Sequence, residues 1–405
     1  MTELYHPEDT STAYFLTHIA ESLAAAFEVH VICGFPARAH RSLAAEPVQR
    51  RNGVQIERCR STRFDHLTLP LRALNALSIS ASIFWRCLRR FRRDDLVLVV
   101  TNPPLLPFAV LTATRLRGAP CLLLVHDVYP EVLVASGLLR PGWKVAVLAR
   151  FSRGLYRGCV RIVVLGRDMQ ELVRQKLDAG QHKVTVIPNW ADIDEIRPRA
   201  RGQNQLLRQL GLSERFVVQY SGNMGRTHGL ETLVEAARLV RDDRSFHFLL
   251  IGGGAKRSWL ESAAEGLANV TVLPFRPRPE LCDSLNACDV TVISFVAGMS
   301  GVSVPSRMYN ALAAGKPIVA VADAGMEIAR LIREEGLGWV VPPGRPEALA
   351  AALLEARSQP DRLAQMAARA RAVVEDRYTL ARVTSLYEDL LSHVSRLGAP
   401  VAGGG

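Results

Sequence analysis

Short apolar runs rich in β-branched residues and leucine recur along the whole chain, and longer stretches of helical periodicity separate them. The first half carries EVHVICG, LVLVVTN, APCLLLVHD, RIVVLG and KVTVIPN. The second half carries FVVQYSG, FHFLLIGGG, VTVLPF, VTVISF, KPIVAVA and GWVVPP. Between them lie amphipathic segments such as AYFLTHIAESLAAAF, LETLVEAARLVRDD and PEALAAALLEARSQ. A strand that is apolar on both faces is buried on both faces. Its alternation with helices predicts an α/β chain of doubly wound parallel sheets. The alternation restarts after NWADIDEIRPRARGQNQ, residues 189–205, which is polar and weakly periodic and reads as a linker between two such domains. Only MTELY precedes HPEDTSTAY at the start, so the first strand is expected to be truncated, because a missing central strand would leave an unpaired seam.

At 48% hydrophobic and 22% charged residues over 405 positions, the chain has ample material for sizeable cores, which excludes disordered, collagen-like and coiled-coil classes. The uncharged window Leu96–Thr114 is long enough to raise a membrane span. Its three prolines and Asn102 read better as a strand, a turn and a new helix. Fifty Lys and Arg against 39 Asp and Glu give a net charge of +11, which favours anionic partners. Seven scattered cysteines without a Cys-x-x-Cys pair argue against a disulfide framework or a zinc site and for a reducing cytosol. No signal-peptide pattern opens the chain.

Two basic amphipathic stretches stand out. SISASIFWRCLRRFRR sets Trp85 and Phe84 among Arg86, Arg89, Arg90, Arg92 and Arg93. RPGWKVAVLARFSRGLYRG sets Trp143, Phe151 and Tyr156 among Arg140, Lys144, Arg150, Arg153 and Arg157. Aromatic residues with arginine on one helix suit docking at an anionic membrane surface. A surface helix with a solvated arginine face is the other reading, and no recognition motif supports a nucleic-acid groove.

Candidate chemistry gathers at strand ends, where open parallel sheets bind ligands. APCLLLVHD ends in His126 and Asp127, a histidine able to bond a phosphate or sugar hydroxyl beside a carboxylate able to orient it. FVVQYSGNMGRTHGLETL runs from a strand through a glycine-rich turn at Gly225 into a helix. That is a phosphate cradle, with Arg226 and His228 as cationic supplements. It matches neither the dinucleotide fingerprint nor the P-loop. The next strand ends in an open turn at Gly253. In SFVAGMSGVSVPSRMYNALAAGKP, residues Gly298, Ser300, Gly301 and Ser303 precede a helix starting near Pro305. Free N–H groups there, with Ser306 and Arg307 one turn in, suit a diphosphate.

In combination, HPEDTSTAYFLTHIAESL, TNPP, VHDVYPE, VIPNWAD, YSGNMGRTHGLETLVEAA and GVSVPSRMYNALAAGKPIVAV resemble the glycosyltransferases of family four. They are most similar to transferases that build bacterial O-antigen and exopolysaccharide, of the fucosamine and colanic-acid type. The resemblance implies the GT-B fold, two Rossmann-like domains facing across a cleft. Residues 1–190 would be the acceptor-binding domain, 191–375 the nucleotide-sugar-binding domain, and 376–405 a helix packing back on the first. It further implies a nucleotide-diphosphate-sugar donor, retention of anomeric configuration, and no cofactor or catalytic metal. The acceptor would be a polyprenyl-diphosphate-linked saccharide at the cytoplasmic face of the membrane. The family's two motif glutamates fall on Val302 and Asn310, so both carboxylates are absent, and Asn310 is left to hydrogen-bond the ribose. The family's arginine and lysine of the donor loop fall on Asn223 and His228, leaving Arg226 and Arg307 to neutralise the diphosphate. His126 matches the histidine that contacts the donor sugar, and Asp9, Thr10, Ser11 and Thr12 fall on the acceptor side. A nucleotide-sugar 2-epimerase of the same fold, or a non-catalytic nucleotide-sugar-binding relative, is the alternative.

Overall fold

The computed structural model describes residues 1–8, 10–36, 45–62, 64 and 69–398. The chain divides into two compact units. Unit 1 comprises Met1–Tyr129, Trp143–Pro188 and the chain from Ala381; unit 2 comprises Pro130–Gly142 and Asn189–Leu380.

Unit 1 holds strands β1 (His30–Gly34), β2 (Val48–Arg51), β3 (Val54–Cys59), β4 (Val97–Val100), β5 (Cys121–Val125), β6 (Arg161–Val164) and β7 (Val184–Val186). They form two ladders, β1-β3-β2 and β4-β5-β6-β7. Residues Met1–Glu3 join the two. The Met1 ammonium and carbonyl bond Leu98 O and Val100 N at 2.7 and 3.4 Å, while Thr2 N and Glu3 O bond Ile32 O and Gly34 N at 3.2 and 3.0 Å. The short first run thus occupies the seam between β1 and β4. Helices α1 (Ser11–Leu23), α2 (Leu69–Arg90), α3 (Leu106–Arg117), α5 (Trp143–Gly158) and α6 (Arg167–Gln175) belong to this unit, while α4 (Glu131–Ala135) falls in the segment grouped with unit 2. The window Leu96–Thr114 is β4, a turn and most of α3, and among the described residues no helix is long and apolar enough to cross a membrane.

The hairpin β2–β3 has no counterpart among the apolar runs. VQRR and VQIERC alternate with charged residues because one face is wet, and they pair antiparallel around Asn52-Gly53 at φ 44° and 82°. Two successive left-handed residues are what a two-residue hairpin turn requires, so the Asn-Gly pair was the readable signal.

Unit 2 is one parallel six-stranded sheet of β8 (Phe216–Asn223), β9 (Phe246–Gly253), β10 (Val270–Leu273), β11 (Val290–Ser294), β12 (Ile318–Val321) and β13 (Gly338–Val341). Its order is β10-β9-β8-β11-β12-β13. The chain winds outward from β8 in one direction, then crosses back and winds outward from β11 in the other. The β8/β11 boundary is therefore the topological switch point, where the loops leaving the two strands part and open a crevice.

The helices of unit 2 after α4 are α7 (Gln205–Gln209), α8 (Leu230–Leu239), α9 (Arg257–Ala263), α10 (Leu281–Asn286), α11 (Arg307–Ala313), α12 (Glu327–Glu335), α13 (Pro346–Ser358) and α14 (Pro360–Arg377); α15 (Leu380–Gly398) groups with unit 1. Side chains alternate across the sheet. Val218, Tyr220, Phe248, Leu250 and Val292 pack with Leu233 of α8 and Leu353 of α13. Val217, Leu249 and Ile251 face the other way, onto Leu206 and Leu207 of α7.

Residues 189–205, expected as a linker, are instead anchored on unit 2. Arg201 bonds both oxygens of Asp289 at 2.7 Å, and Arg371 of α14 holds the carbonyls of Ile193 and Ile196 at 3.0 and 2.8 Å. The segment reads as polar because its contacts are ion pairs and backbone bonds rather than an apolar stripe.

Candidate functional site

At the switch point of unit 2, the loop leaving β8 turns over Gly222-Asn223-Met224-Gly225 and enters α8 behind Gly229. Two glycines make the turn possible. A Cβ on Gly252, at the end of β9, would lie 1.9 Å from Gly222 O, and one on Gly229 would lie 2.8 Å from Phe295 O. Gly253 supplies the carbonyl that receives Met224 N at 2.7 Å, so the ends of β8 and β9 are locked together beneath the loop.

Arg307, the first residue of α11, reaches back into this loop. Its guanidinium lies over the ring of Tyr220, 4.7 Å from the centroid, and 6.0 Å from that of Phe295. Its Nη1 is 3.3 Å from the position a Cβ would take on Gly222, and it is buried without a hydrogen-bond partner among the described residues. A guanidinium nitrogen left unsatisfied out of water costs about 1–3 kcal/mol. The aromatic faces recover part of that through cation–π attraction, and an incoming anion would recover the rest. Burial pushes the Tyr220 phenol up despite the arginine above it, and the phenol donates to Asn223 O at 2.5 Å, fixing the turn.

His228 does not behave as the expected cation. It is buried, and that burial, aided by the charges of Arg307 and Lys256, holds its pKa well below the ordinary histidine value. Its Nδ1 accepts the Gly225 N–H at 3.1 Å, so it is a neutral brace of the turn. Lys256, which follows the open turn after β9, donates to His228 O at 2.8 Å and to both oxygens of Glu231 at 2.8 and 3.0 Å. It ties the β9 loop to the first turn of α8, a role that only the folded proximity of the two loops reveals.

The loop before α11 differs from expectation too. The N–H groups of Gly298 and Met299 are not free; Asp323 Oδ2 accepts both, at 2.8 and 3.0 Å. Gly301, at φ 75°, is buried, and Ser303 and Ser306 are half-buried on the approach to α11. That helix spans only Arg307–Ala313, so the guanidinium rather than the helix end carries the positive charge. Asn310 lies one turn along α11 from Arg307, hence on the same side, and is half-buried. Val302, where a motif carboxylate is missing, is buried apolar core. Arg226 is exposed at the tip of the β8 loop.

In unit 1, His126 and Asp127 follow β5, and Thr101 of the TNPP segment organises them: its Oγ1 accepts the His126 N–H at 3.0 Å and the Asp127 N–H at 3.4 Å. The His126 Nε2 is buried with no hydrogen-bond partner among the described residues, so Asp127 does not hold it. Burial lowers the His126 pKa to about 4 and raises Asp127 to about 6. The two shifts act on stability with opposite signs. The depressed histidine contributes stability that is present above 6.5 and lost as pH falls through about 4. The raised carboxyl contributes stability that is present below 3.8 and lost as pH rises through about 6. On acidification from pH 7 to 5, Asp127→Asn is therefore expected to lose more melting temperature than the wild type, and His126→Asn less. Parallel melting-temperature profiles for all three would contradict the burial of both groups.

Thr10 caps α1, accepting Ala13 N at 3.2 Å, and Ser11 and Thr12 open that helix; Asp9 lies outside the described residues. Of the residues of α2 and just after it read as membrane-facing, Trp85 is 59% exposed and Arg89 and Arg93 are exposed. Arg86 and Arg90 instead turn onto Glu57 of β3, at 2.6 and 3.4 Å. All seven cysteines are free and buried.

Comparison with known proteins agrees with this architecture. Residues 12–190 match the family described as glycosyl transferase 4-like domain, and residues 215–359 match glycosyl transferases group 1. The chain belongs to the family-four glycosyltransferases. It is 37% identical over 267 residues to the probable glycosyltransferase WbjE of Pseudomonas aeruginosa, 64% of this chain and 66% of that one. It is 29% identical over 368 residues to the putative colanic acid biosynthesis glycosyl transferase WcaI of Escherichia coli, 87% of this chain and 90% of that one. Among solved structures, sucrose-phosphate synthase from Thermosynechococcus elongatus superposes with a TM-score of 0.78 at 17% identity, over 98% of this chain and 96% of that one. Anabaena HepE in complex with UDP and glucose superposes with 0.74 at 17% identity, over 97% and 98%. The fold of this glycosyltransferase is GT-B, with Rossmann-like domains.

Proposed function

We propose that this glycosyltransferase moves a sugar from a nucleotide-diphosphate sugar to a polyprenyl-diphosphate-linked saccharide, with retention, in bacterial cell-surface polysaccharide synthesis. The observation that carries the donor half is Arg307 Nη1, a buried cationic donor without an acceptor among the described residues, at the switch point of unit 2. The diphosphate accepts from it there, and exposed Arg226 adds charge from the rim. Gly225, Gly301, Ser303 and Ser306 line the approach, Gly253 admits the nucleoside close to the backbone, and Asn310 bonds a ribose hydroxyl. Charge grows on the diphosphate as the glycosidic bond breaks, so a guanidinium held over Tyr220, with Nη1 already out of water, stabilises the leaving group with little reorganisation. The same residues bind the ground state less strongly, because less charge faces them before the bond breaks.

His126 stays neutral at physiological pH, so its orphaned nitrogen offers the transferred sugar a hydrogen bond without adding charge. Asp127 is the second residue proposed to act there. The acceptor class rests on the named relatives. The named relatives are a probable glycosyltransferase, WbjE, and a putative colanic acid biosynthesis glycosyl transferase, WcaI, and WaaG, a glycosyltransferase involved in lipopolysaccharide biosynthesis, superposes with a TM-score of 0.70 at 14% identity. The lipid-linked acceptor proposed here fits work at the cytoplasmic face of an anionic membrane and the chain's net charge of +11.

The test is transfer from a panel of radiolabelled UDP-, GDP- and dTDP-sugars to a polyprenyl-diphosphate-linked acceptor, with the product's anomeric coupling read by proton NMR. One donor should transfer with its anomeric configuration kept. Inverted product would contradict retention, and turnover of the nucleotide sugar without acceptor would favour the 2-epimerase reading.

A further inference from the structure

The face formed by α3 and α5 carries features that neither the donor site nor the unit 1 core uses. Trp143, Val147, Leu148 and Phe151 of α5 are all exposed, Trp143 by 74% and Phe151 by 60%. At helical spacing Trp143, Val147 and Phe151 share one side, while Leu148 falls on the arc of the buried Ser152, Leu155 and Tyr156. Leu116 of neighbouring α3 is 67% exposed. Between the two helices lies a cavity of about 440 Å³ whose lining includes Phe108, Leu111 and Leu155 as apolar floor and Arg115, Arg150 and Arg153 on the rim. These three arginines are exposed. Arg157, also on the rim, is paired with Asp178.

We infer that the α3/α5 face is the bilayer-docking surface of this enzyme, with the cavity taking an anionic phospholipid: phosphate against the arginines, acyl chain over the apolar floor. The inference rests on the membrane-surface reading above and makes it specific to α5, in place of α2, where Arg86 and Arg90 are held by Glu57. Charge complementarity selects the occupant. A second copy of the chain would bring arginine against arginine, and a nucleic acid would leave the Trp143–Phe151 stripe in water. An anionic bilayer satisfies both halves, with arginine stems lying along the apolar surface and their heads at the phosphates.

Each basic residue near an anionic surface contributes about 1 kcal/mol, roughly a fivefold change in partitioning. The test is co-sedimentation of the full chain with vesicles of phosphatidylcholine and phosphatidylglycerol, against phosphatidylcholine alone. The variant Arg115→Gln/Arg150→Gln/Arg153→Gln should partition about 100-fold less to the anionic vesicles. The variant Trp143→Ser/Phe151→Ser should be released by salt that the wild type withstands. Removing equal charge from the end of α2 and the residues just after it, with Arg89→Gln/Arg92→Gln/Arg93→Gln, should cost less than tenfold.

Equal losses from the two triple variants would overturn the assignment, since only net charge would then matter. So would wild-type binding to neutral vesicles as strong as to anionic ones, no binding to either, or a preference for duplex RNA over anionic vesicles. Nucleotide-induced thermal shifts, read on the same variants, should match the wild type. This separates the two failures: a wild type that shifts with no nucleotide yet needs the α5 arginines for vesicles refutes the donor site and upholds the docking face.

Discussion

Arg307→Met is expected to weaken nucleotide-diphosphate binding by roughly 100-fold while leaving the free protein's stability within about 1 kcal/mol of wild type. The binding loss follows from removing charge-assisted hydrogen bonds worth about 1.5–3 kcal/mol each. The small stability change follows from two opposing terms in the unliganded protein. Methionine forfeits the attraction of the guanidinium to Tyr220 and Phe295, 4.7 and 6.0 Å away, but it also removes a buried nitrogen that has no acceptor among the described residues. A residue kept for packing would show the reverse: a large fall in melting temperature and little change in affinity. Titration calorimetry with the preferred nucleotide, alongside urea unfolding, separates the two. Arg226→Ala should weaken binding less, because an exposed charge is screened.

The second large effect concerns backbone rather than charge. Gly252→Ala places a methyl group 1.9 Å from Gly222 O, at φ 151°, with the Gly222 backbone as its three nearest atoms and no flexible side chain among them to yield. The ends of β8 and β9 must separate, which opens the turn that carries Met224, Gly225 and His228. A cost of about 3 kcal/mol is expected, lowering the melting temperature by about 6–12 °C, together with loss of the donor site. Gly266→Ala is the control. Gly266 also has a positive φ, of 77°, but nothing lies within 4 Å of its Cβ position, so only the left-handed backbone is penalised, by about 1 kcal/mol. Equal costs at the two sites would mean that the close approach of Gly222 and Gly252 is not what the glycine serves.

The sheets were legible in the sequence wherever a strand is buried on both faces. LVLVV and CLLLV are apolar throughout, and FHFLLI is but for His247, because helices cover them on both sides, and each is a strand in the fold. The β2–β3 hairpin escaped for the opposite reason: with one face wet, Arg50, Arg51 and Glu57 interrupt the apolar pattern. At the site, residue type was visible but environment was not. His228 reads as a cation from its chemistry alone; its burial and the Gly225 N–H on its Nδ1 make it neutral. Gly298 reads as a free donor until Asp323, on the loop after β12, is brought beside it. Arg307 was singled out from its place after Pro305, but the Tyr220 ring beneath it comes from a strand far away in the chain. The β8 loop shows what sequence pattern conveys poorly: which polar atoms the fold has already used.

The most direct test of the donor site is a thermal-shift screen of the purified wild-type protein with UDP, GDP, dTDP and ADP, no metal added. A nucleotide at 100 times its dissociation constant adds about 2.7 kcal/mol to the stability of the form that binds it. One of the four should therefore raise the melting temperature by several degrees, and the same nucleotide should leave Arg307→Met unshifted. If no nucleotide shifts the wild type, or if Arg307→Met shifts equally, the Arg307 guanidinium at the β8/β11 switch point is not a diphosphate site.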